Sequence, residues 1–494
     1  MRHTRRFAAL LIILIAGVAL GQMATTAPTT QSASQPAAAV AKAAVPPVEV
    51  APPPAAPKDP VCAFIDSTKH PTPWLTWGAD FRFRNEYNNN TTTFNKDAPL
   101  HETDFFRYRT RLGSTITPVK DFEINSRLVW EFRDYTYPNA LSHQPVDVND
   151  ALFDTLNFKL KNIGGSGLTA TIGRQDIKFG DGWLVLDGTP LDGSRTLYFD
   201  ALRFTYEMKD IQTVADFVWI DQHGRQDFYI EPFNYDHNPV RPPTEEENAQ
   251  GAILYVTNKS IQSTEISGYF IYKNDYDRLT PNGETGEIYA FGGRGVHSFD
   301  KHWTATAEGV LEAGNKAQRG VGSQELIAGG FNSKLNYAFN DRLKNNARTG
   351  FEFRSGRNPN SGTNNEFDPL WGRWPQFSEL LSSNAAFENG KPAFLTNFYR
   401  LFWGHAFFPL PKLESCLDYH LLFADENTYG QSRPDSFTKD GKFRGQLLTW
   451  LLRYQHNEHL SSHFLTEFFA PGNYYTAFRN DPALYLRYEL MLTW

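Results

Sequence analysis

Residues 484–494 contain the pattern that most restricts the fold of this chain. Apolar and aromatic residues alternate there with mostly polar ones, which gives an extended strand two different faces. A strand of this length with one apolar face is typical of a β-barrel that crosses a membrane. Strands of soluble β-sandwiches alternate too, but they are seldom as long. One face holds Leu484, Leu486, Tyr488, Leu490, Leu492 and Trp494, and the other holds Tyr485, Arg487, Glu489, Met491 and Thr493.

Similar alternation recurs along the chain, and arginine is frequent on the polar faces. In residues 105–112, for example, Phe106 and Tyr108 alternate with Arg107 and Arg109. A shift of one residue would move every such arginine into lipid, so the pattern fixes which face of each strand is internal. We therefore expect these arginines to line a polar interior: Arg82, Arg84, Arg107, Arg109, Arg111, Arg127, Arg133, Arg203, Arg348 and Arg354.

The connections between the alternating segments are of two kinds. Residues 117–121 are a short turn, whereas residues 231–250, 358–365 and 425–442 are long polar loops. Short turns at one end and long loops at the other are typical of outer-membrane barrels. With about 10 residues per strand, the length allows on the order of 16 to 18 strands, enough to surround a water-filled interior.

The N-terminal segment has the features of a secretory signal. Three arginines among the first six residues precede an uncharged apolar run over 7–19, which is too short for a membrane-spanning helix. Residues 22–73 are rich in Ala and Pro and have few large side chains, so we predict that they are disordered. The expected organisation is a signal peptide at 1–21, a flexible periplasmic segment at 22–73 and an all-β transmembrane antiparallel barrel at 74–494.

Cysteine content and charge restrict the remaining alternatives. Only Cys62 and Cys416 are present, so a disulfide framework is excluded and two unpaired cysteines are expected. The formal net charge is −7. A basic interior is compatible with this charge if acidic residues are concentrated in the external loops, because the local field of a narrow pore matters more than the total.

Four short motifs, in order along the chain, resemble the alginate export family. Residues 173–181 read GRQDIKFGD, similar to the family's Gly-Arg-Gln strand that ends in a Gly-Asp turn. Residues 195–203 read RTLYFDALR, similar to the strand that follows in the family, except that Ala201 replaces a glycine. FDPLW at 367–371 and FAPGNYY at 469–475 resemble a family loop and the turn before its last strands. The resemblance spans about 74–494.

The resemblance implies an 18-stranded outer-membrane channel through which a uronic-acid polymer diffuses past an arginine-rich lumen. Arg174, in the first motif, joins the arginines above as a lumen-lining, substrate-binding residue. A guanidinium is always charged and its planar fork matches a carboxylate, so successive arginines would bind successive uronate groups. Release requires these sites to be individually weak. The acidic residues expected to hold the arginines in position are Glu86, Glu131, Glu207 and Glu352.

The expected function is passive export or diffusion of an anionic, alginate-like polysaccharide, or of smaller anionic solutes, across the outer membrane. Expected partners are outer-membrane lipid, the anionic substrate and the insertion machinery that recognises a C-terminal strand, here ending at Trp494. No nucleic-acid partner is expected. The alternative is a structural or interaction protein of the envelope with a plugged lumen, in which the internal Arg and Glu residues are structural salt-bridge networks.

No catalytic or metal-binding motif stands out, and we expect no enzyme activity, cofactor or metal. His456, His459 and His463 straddle a predicted turn, where the ligand spacing of a helix does not apply. The sequence GGRG at 292–295 lies in a predicted strand without the helix that a phosphate-binding loop requires. No nucleophile elbow or paired-carboxylate spacing is apparent.

Overall fold

The barrel is closed by pairing between its first and last strands. The computed structural model describes residues 60–141, 149–186, 198–224, 247–281, 283–318 and 322–494. Within these residues the chain forms an 18-stranded antiparallel sheet in which each strand pairs with its neighbours in sequence, and the first also pairs with the last. This confirms the predicted fold class. The predicted signal peptide lies outside the described residues.

The elements follow in chain order, and neither described α-helix has the length and apolar character needed to cross a bilayer. The helices are α1 (Pro60–Thr68) and α2 (Glu379–Asn389), with short 3₁₀ helices at Asn139–Leu141, Lys209–Ile211 and Ala477–Arg479. The strands are β1 (Leu75–Asn89), β2 (Glu102–Val119), β3 (Phe122–Tyr137), β4 (Asn149–Ile163), β5 (Leu168–Gln175), β6 (Phe199–Met208), β7 (Thr213–Gln222), β8 (Glu247–Asn258), β9 (Thr264–Arg278), β10 (Thr285–Ser298), β11 (Trp303–Gln318), β12 (Gly322–Ala338), β13 (Asn346–Arg354), β14 (Phe398–Leu410), β15 (Leu413–Phe423), β16 (Phe443–Gln455), β17 (Leu460–Pro471) and β18 (Ala483–Thr493).

The predicted faces of the strands are confirmed where the alternation is strongest. In β18, Arg487 and Glu489 are buried inside the barrel, whereas Tyr488 is 43% exposed on the outer face. In β2, Arg109 is almost fully buried, whereas Leu112 is 51% exposed. Apolar side chains on the outside and polar ones inside are what a lipid-embedded wall requires.

Turns and loops are segregated to opposite ends of the barrel. Residues 120–121, 259–263 and 411–412 connect strands at the end where β1 begins, and residues 90–101 and 424–442 connect them at the other end. The short-turn end of such a barrel faces the periplasm. The predicted loop at 231–250 lies outside the described residues up to 246, and β8 begins at Glu247.

Helix α1 lies against the periplasmic end of the outer wall, within residues that the sequence assigned to a flexible segment. Ile65 is buried. The indole of Trp77 donates to the Thr68 carbonyl at 2.7 Å, and that of Trp494 donates to the Thr68 hydroxyl at 2.9 Å. These aromatic contacts order the end of the segment. Disorder of residues 22–59 stays a prediction, because they lie outside the described residues.

Part of the interior beside β6 to β12 is apolar, which differs from the expected polar lining. Inward side chains such as Val218, Ile253, Ile288, Val310 and Leu326 are buried. They form one core with apolar residues of two connecting segments that fold into the barrel. Because these strands are covered by lipid on one face and by protein on the other, both faces are apolar.

Candidate functional site

Two connecting segments fold into the barrel and are joined inside it. The first infolded segment, residues 176–186, follows β5, and the second, residues 355–397, connects β13 to β14 and contains α2. The Trp371 amide donates to the Leu184 carbonyl at 3.0 Å, and the Leu186 amide donates to the Trp371 carbonyl at 3.2 Å. Two of the family-like motifs, GRQDIKFGD and FDPLW, contribute to one internal structure, because Ile177 and Phe367 belong to the same buried core.

Aromatic side chains of the infolded segments rest on glycines of the wall. The rings of Trp183 and Phe367 stack with centroids 5.6 Å apart. A Cβ atom at Gly330 would lie 2.7 Å from Phe367 and 2.9 Å from Trp183, and one at Gly251 would lie 2.3 Å from the Trp371 ring. Such distances are shorter than van der Waals contact, so these two wall positions accommodate only glycine while the segments stay in place.

A buried charge cluster anchors the second infolded segment to the wall. Asp368 accepts from Lys316 at 2.8 Å, and Lys391 donates to Glu247 at 2.6 Å. Glu284 is 2.9 Å from Lys316 and 3.3 Å from Lys391. Burial alone would raise the pKa of the Asp368 carboxyl, but the lysines around it hold that pKa below its usual value.

Glu366 lies close to this charge cluster, and the pKa of its carboxyl is raised. It is 8% exposed. Burial, and then the negative charge of Glu284, raise the pKa of its carboxyl to about 7, although Lys316 and Arg357 oppose this. The second infolded segment thus contains an acid that changes charge near neutral pH.

Most of the predicted arginines are buried and paired with carboxylates. Nearly complete burial with a carboxylate partner is typical of a structural network, since each ion needs the other to offset desolvation. Arg133 is the exception, because it is only partly buried and its guanidinium lies 5.3 Å from the ring centre of Phe105. The other pairs of this group are Arg82 with Glu131 (3.3 Å), Arg84 with Glu489 (2.5 Å), Arg107 with Glu86 (2.9 Å), Arg109 with Asp80 (3.4 Å), Arg174 with Asp200 (2.9 Å) and Arg354 with Glu352 (3.1 Å).

The acidic residues expected to hold the arginines behave in two ways. Glu86, Glu131 and Glu352 pair with the arginines as expected. Glu207 differs, because it is exposed near the periplasmic end of β6 and pairs with no arginine among the described residues. Alternation placed Glu207 on the inner face but did not reveal how close it lies to the end of the strand.

Four of the predicted arginines keep part of their side chain accessible. Their side-chain exposures are 15% for Arg111, 23% for Arg127, 26% for Arg203 and 23% for Arg348. Arg127 contacts Asp154 at 2.7 Å, beside an irregularity in the pairing of β3 with β4 that turns this carboxylate inward. These four side chains are more accessible than those of the buried arginines.

Three of these arginines, Arg127, Arg203 and Arg348, line cavities in the periplasmic half of the barrel. One cavity of about 580 Å³ lies beside β1 to β6, and its charged lining residues are Arg127, Lys159, Arg203, Glu123 and Asp176. Basic residues outnumber acidic ones there. Arg348 lines two further cavities of about 360 and 560 Å³, beside β11 to β18, together with Trp374 and Phe377 of the second infolded segment. The linings of these two contain at least as many carboxylates as basic residues.

Several charged residues of the cavities were not singled out from the sequence. Lys159 follows the alternation of β4, with Phe158 and Leu160 exposed on the outer face. Arg400 lies between the buried aromatic residues Phe398 and Phe402 on the inner face of β14. Period-two alternation was present at both sites, but aromatic residues on both faces of β14 concealed which face was internal. Both cysteines are buried and unpaired, as predicted.

Comparison with known proteins identifies the family and the fold. The profile for alginate export matches residues 73–481. No curated protein sequence matches the chain. OpdO of Pseudomonas aeruginosa is similar in structure, with a TM-score of 0.52 and 11% identity over 85% of this chain and 97% of that one.

Two further structures from Pseudomonas aeruginosa are also similar. OccK2 (OpdF), solved in complex with glucuronate, has a TM-score of 0.51 and 9% identity, covering 85% of this chain and 97% of its own. OpdQ has a TM-score of 0.51 and 11% identity, covering 85% and 98%. At sequence identities this low, the structural similarity shows a shared fold and nothing more. Since the family match covers most of the sequence, the chain belongs to the alginate export family and is a β-barrel of the outer membrane.

Proposed function

We propose that this barrel is a passive channel for anionic carbohydrate, either a uronate polymer of the alginate type or smaller anionic solutes. The single observation that carries the proposal is the cavity of about 580 Å³ lined by Arg127, Lys159 and Arg203. Membership of the alginate export family supports transport. The glucuronate complex of the structurally similar OccK2 supports a carboxylated sugar as the class of solute.

The lining of this cavity suits a carboxylated sugar. Lys159 has no ion-pair partner among the described residues and is only partly buried, so its charge is available to a passing carboxylate. Arg203 already forms an ion pair, because its Nε lies 2.8 Å from Asp216 Oδ1. Asn125 and Thr171, which also line the cavity, offer neutral hydrogen-bonding groups to sugar hydroxyls.

An arginine that is already paired with an internal carboxylate binds a passing anion weakly, and weak binding favours transport. Every accessible arginine already has a carboxylate within hydrogen-bonding distance, so a uronate must compete with that internal partner. Competition lowers affinity while it keeps the guanidinium in place. Many weak sites allow a solute both to enter and to leave.

The experiment is single-channel recording of the refolded protein in a planar bilayer. The test variant is Lys159→Gln/Arg203→Gln, which removes two positive charges from the cavity. The matched control is Lys120→Gln/Arg342→Gln, which removes two charges from exposed periplasmic turns. We expect the wild type to prefer anions and to be blocked by uronate oligomers, and both properties to weaken several-fold in the test variant only. A cation-selective wild type, or equal losses in both variants, would contradict the proposal.

A second candidate function is a non-transporting envelope barrel. The observation that favours it is the pair of infolded segments, which are joined by backbone hydrogen bonds and anchored by Lys316 and Lys391. In this case the buried arginines are purely structural. Correctly folded wild-type protein that inserts into bilayers without unitary currents would favour this function over the channel.

A further inference from the structure

Helix α1 and the periplasmic turn between β16 and β17 bring three possible metal ligands together. Asp66 on α1 lies beside Glu458 and His459 of the turn, and one ligand atom of each lies within 4.8 Å of the others. We infer that these residues bind a divalent transition metal ion, for which Zn²⁺ is the best match, and that the metal links α1 to the hairpin formed by β16 and β17. This site is independent of the channel interior.

The orientation of His459 leaves one ring nitrogen prepared for a metal. Its Nδ1 lies 2.8 Å from the Thr493 carbonyl oxygen. A carbonyl only accepts hydrogen bonds, so Nδ1 must donate, and in a neutral imidazole Nε2 then has a free lone pair. His459 is 6% exposed, and its Nε2 has no hydrogen-bond partner among the described residues. Histidines that ligate metals are usually fixed by such a hydrogen bond from the second nitrogen.

The distance from His459 to Asp66 fits a metal better than a hydrogen bond. Nε2 lies 3.7 Å from Asp66 Oδ1, which is longer than a hydrogen bond. When His459 is neutral, both atoms present lone pairs to each other, and a cation between them would bind both. Ligands about 2.0 to 2.1 Å from a tetrahedral Zn²⁺ are roughly 3.4 Å apart, so a small movement would bring both atoms into the coordination sphere.

The third ligand and the charge balance also suit Zn²⁺. Glu458 is exposed, so it can turn toward the ion at little cost, and water can complete four ligands. One imidazole and two carboxylates form a mixed nitrogen and oxygen set that Zn²⁺ accepts. Lys69 is the internal competitor, because its Nζ lies 3.0 Å from Asp66 Oδ1. Its side chain is 28% exposed and can move into solvent.

The test is metal titration of the full-length protein, without a histidine tag, in detergent after treatment with a chelator. Co²⁺ is added and followed by visible absorption, and Zn²⁺ is then used to displace it. We expect saturable binding of one ion with a tetrahedral spectrum. His459→Gln should weaken binding at least ten-fold, whereas Lys69→Gln should strengthen it several-fold because the competing ammonium is gone.

Two variants keep the test decisive. His456→Gln removes an exposed histidine of the same turn that lies outside the ligand set, so it should bind Co²⁺ as the wild type does. Glu458→Gln alters an exposed ligand, so it should fold normally and bind more weakly. Absence of a tetrahedral Co²⁺ spectrum in folded wild-type protein would overturn the inference, as would affinities in His459→Gln and Glu458→Gln equal to that of the wild type.

Discussion

Arg84 of β1 and Glu489 of β18 form an ion pair across the seam at which the barrel closes, with Nη2 2.5 Å from Oε2. Both side chains are less than a tenth exposed. Arg82 lies on the same side of the seam, 3.9 Å from the same carboxylate oxygen. The contact between the first and last strands therefore includes a desolvated ion pair as well as backbone hydrogen bonds.

Glu489→Gln should destabilise the closed barrel. The substitution leaves the buried guanidiniums of Arg82 and Arg84 with less opposing charge, and breaking such a pair typically costs about 3 to 5 kcal/mol. The free energy of unfolding in detergent, measured with urea, checks this. Glu414→Gln, which breaks the more exposed pair with Arg453, is the control and should cost less than about 1 kcal/mol. Equal losses in the two variants would contradict the structural role of the seam pair.

Lys316→Met should release the second infolded segment. Asp368 would stay buried, with Lys273 at 3.9 Å as its nearest remaining ion-pair partner, so the segment should keep only its backbone hydrogen bond to Glu312 as a polar link from Asp368 to β11. We expect faster trypsin cleavage within residues 355–397, located by mass spectrometry. Adding Asp368→Asn to Lys316→Met should restore part of the protection from trypsin, because it removes the uncompensated charge. Cleavage of the double variant at or above the rate of Lys316→Met would argue against the pair.

Stability should fall as pH rises through neutrality, and Glu366 should be one cause. Its pKa is raised from the usual 4.5 to about 7 in the folded protein. Stability from the protonated form is therefore fully present below about pH 4.5 and is lost as pH rises through about 7. The shift corresponds to roughly 3 kcal/mol at most. Urea unfolding at pH 5.5 and pH 8 measures this difference, which should shrink in Glu366→Gln. An unchanged difference in that variant would assign the pH dependence to other groups.

Gly330→Val should displace the aromatic residues that rest on β12. Its Cβ would lie 2.7 Å from Phe367 and 2.9 Å from Trp183, so the infolded segments must move or the wall must distort. We expect an altered unitary conductance together with a loss of about 1 to 3 kcal/mol of stability. Gly309→Val is the control, because its Cβ would meet the nearest side-chain atom at 3.6 Å. Wild-type conductance in Gly330→Val would show that the segments do not narrow the passage.

The barrel wall was predictable from the sequence because its signal is local. Alternation in β2 and β18 reports directly on lipid at one face and polar contacts at the other. The apolar interior beside β7 was not predictable in the same way, since Val218 is covered by segments distant in sequence. Alternation identifies the inner face of a strand but not what covers that face.

The site was predictable only in part, for a related reason. The alternation of side chains along each strand predicted that Arg107 and Arg203 point inward. Their different exposures, 7% and 26% for the side chains, depend on which neighbours surround each guanidinium. Likewise, the motifs at 173–181 and 367–371 were visible as motifs, but the contact between Leu184 and Trp371 joins residues far apart in the chain.

The position of the apolar core has a consequence for the shape of the passage. The infolded segments pack against the wall on two sides, in one core beside β6 to β12 and in a second core where α2 meets β14 to β18, whereas the cavity of about 580 Å³ is lined almost entirely by β1 to β6. In the channel proposed above, a solute in the periplasmic half of the barrel would therefore follow the arc of wall formed by β1 to β6. β1, which closes the barrel by pairing with β18, forms one edge of that arc, so the strand that completes the barrel would also border the passage.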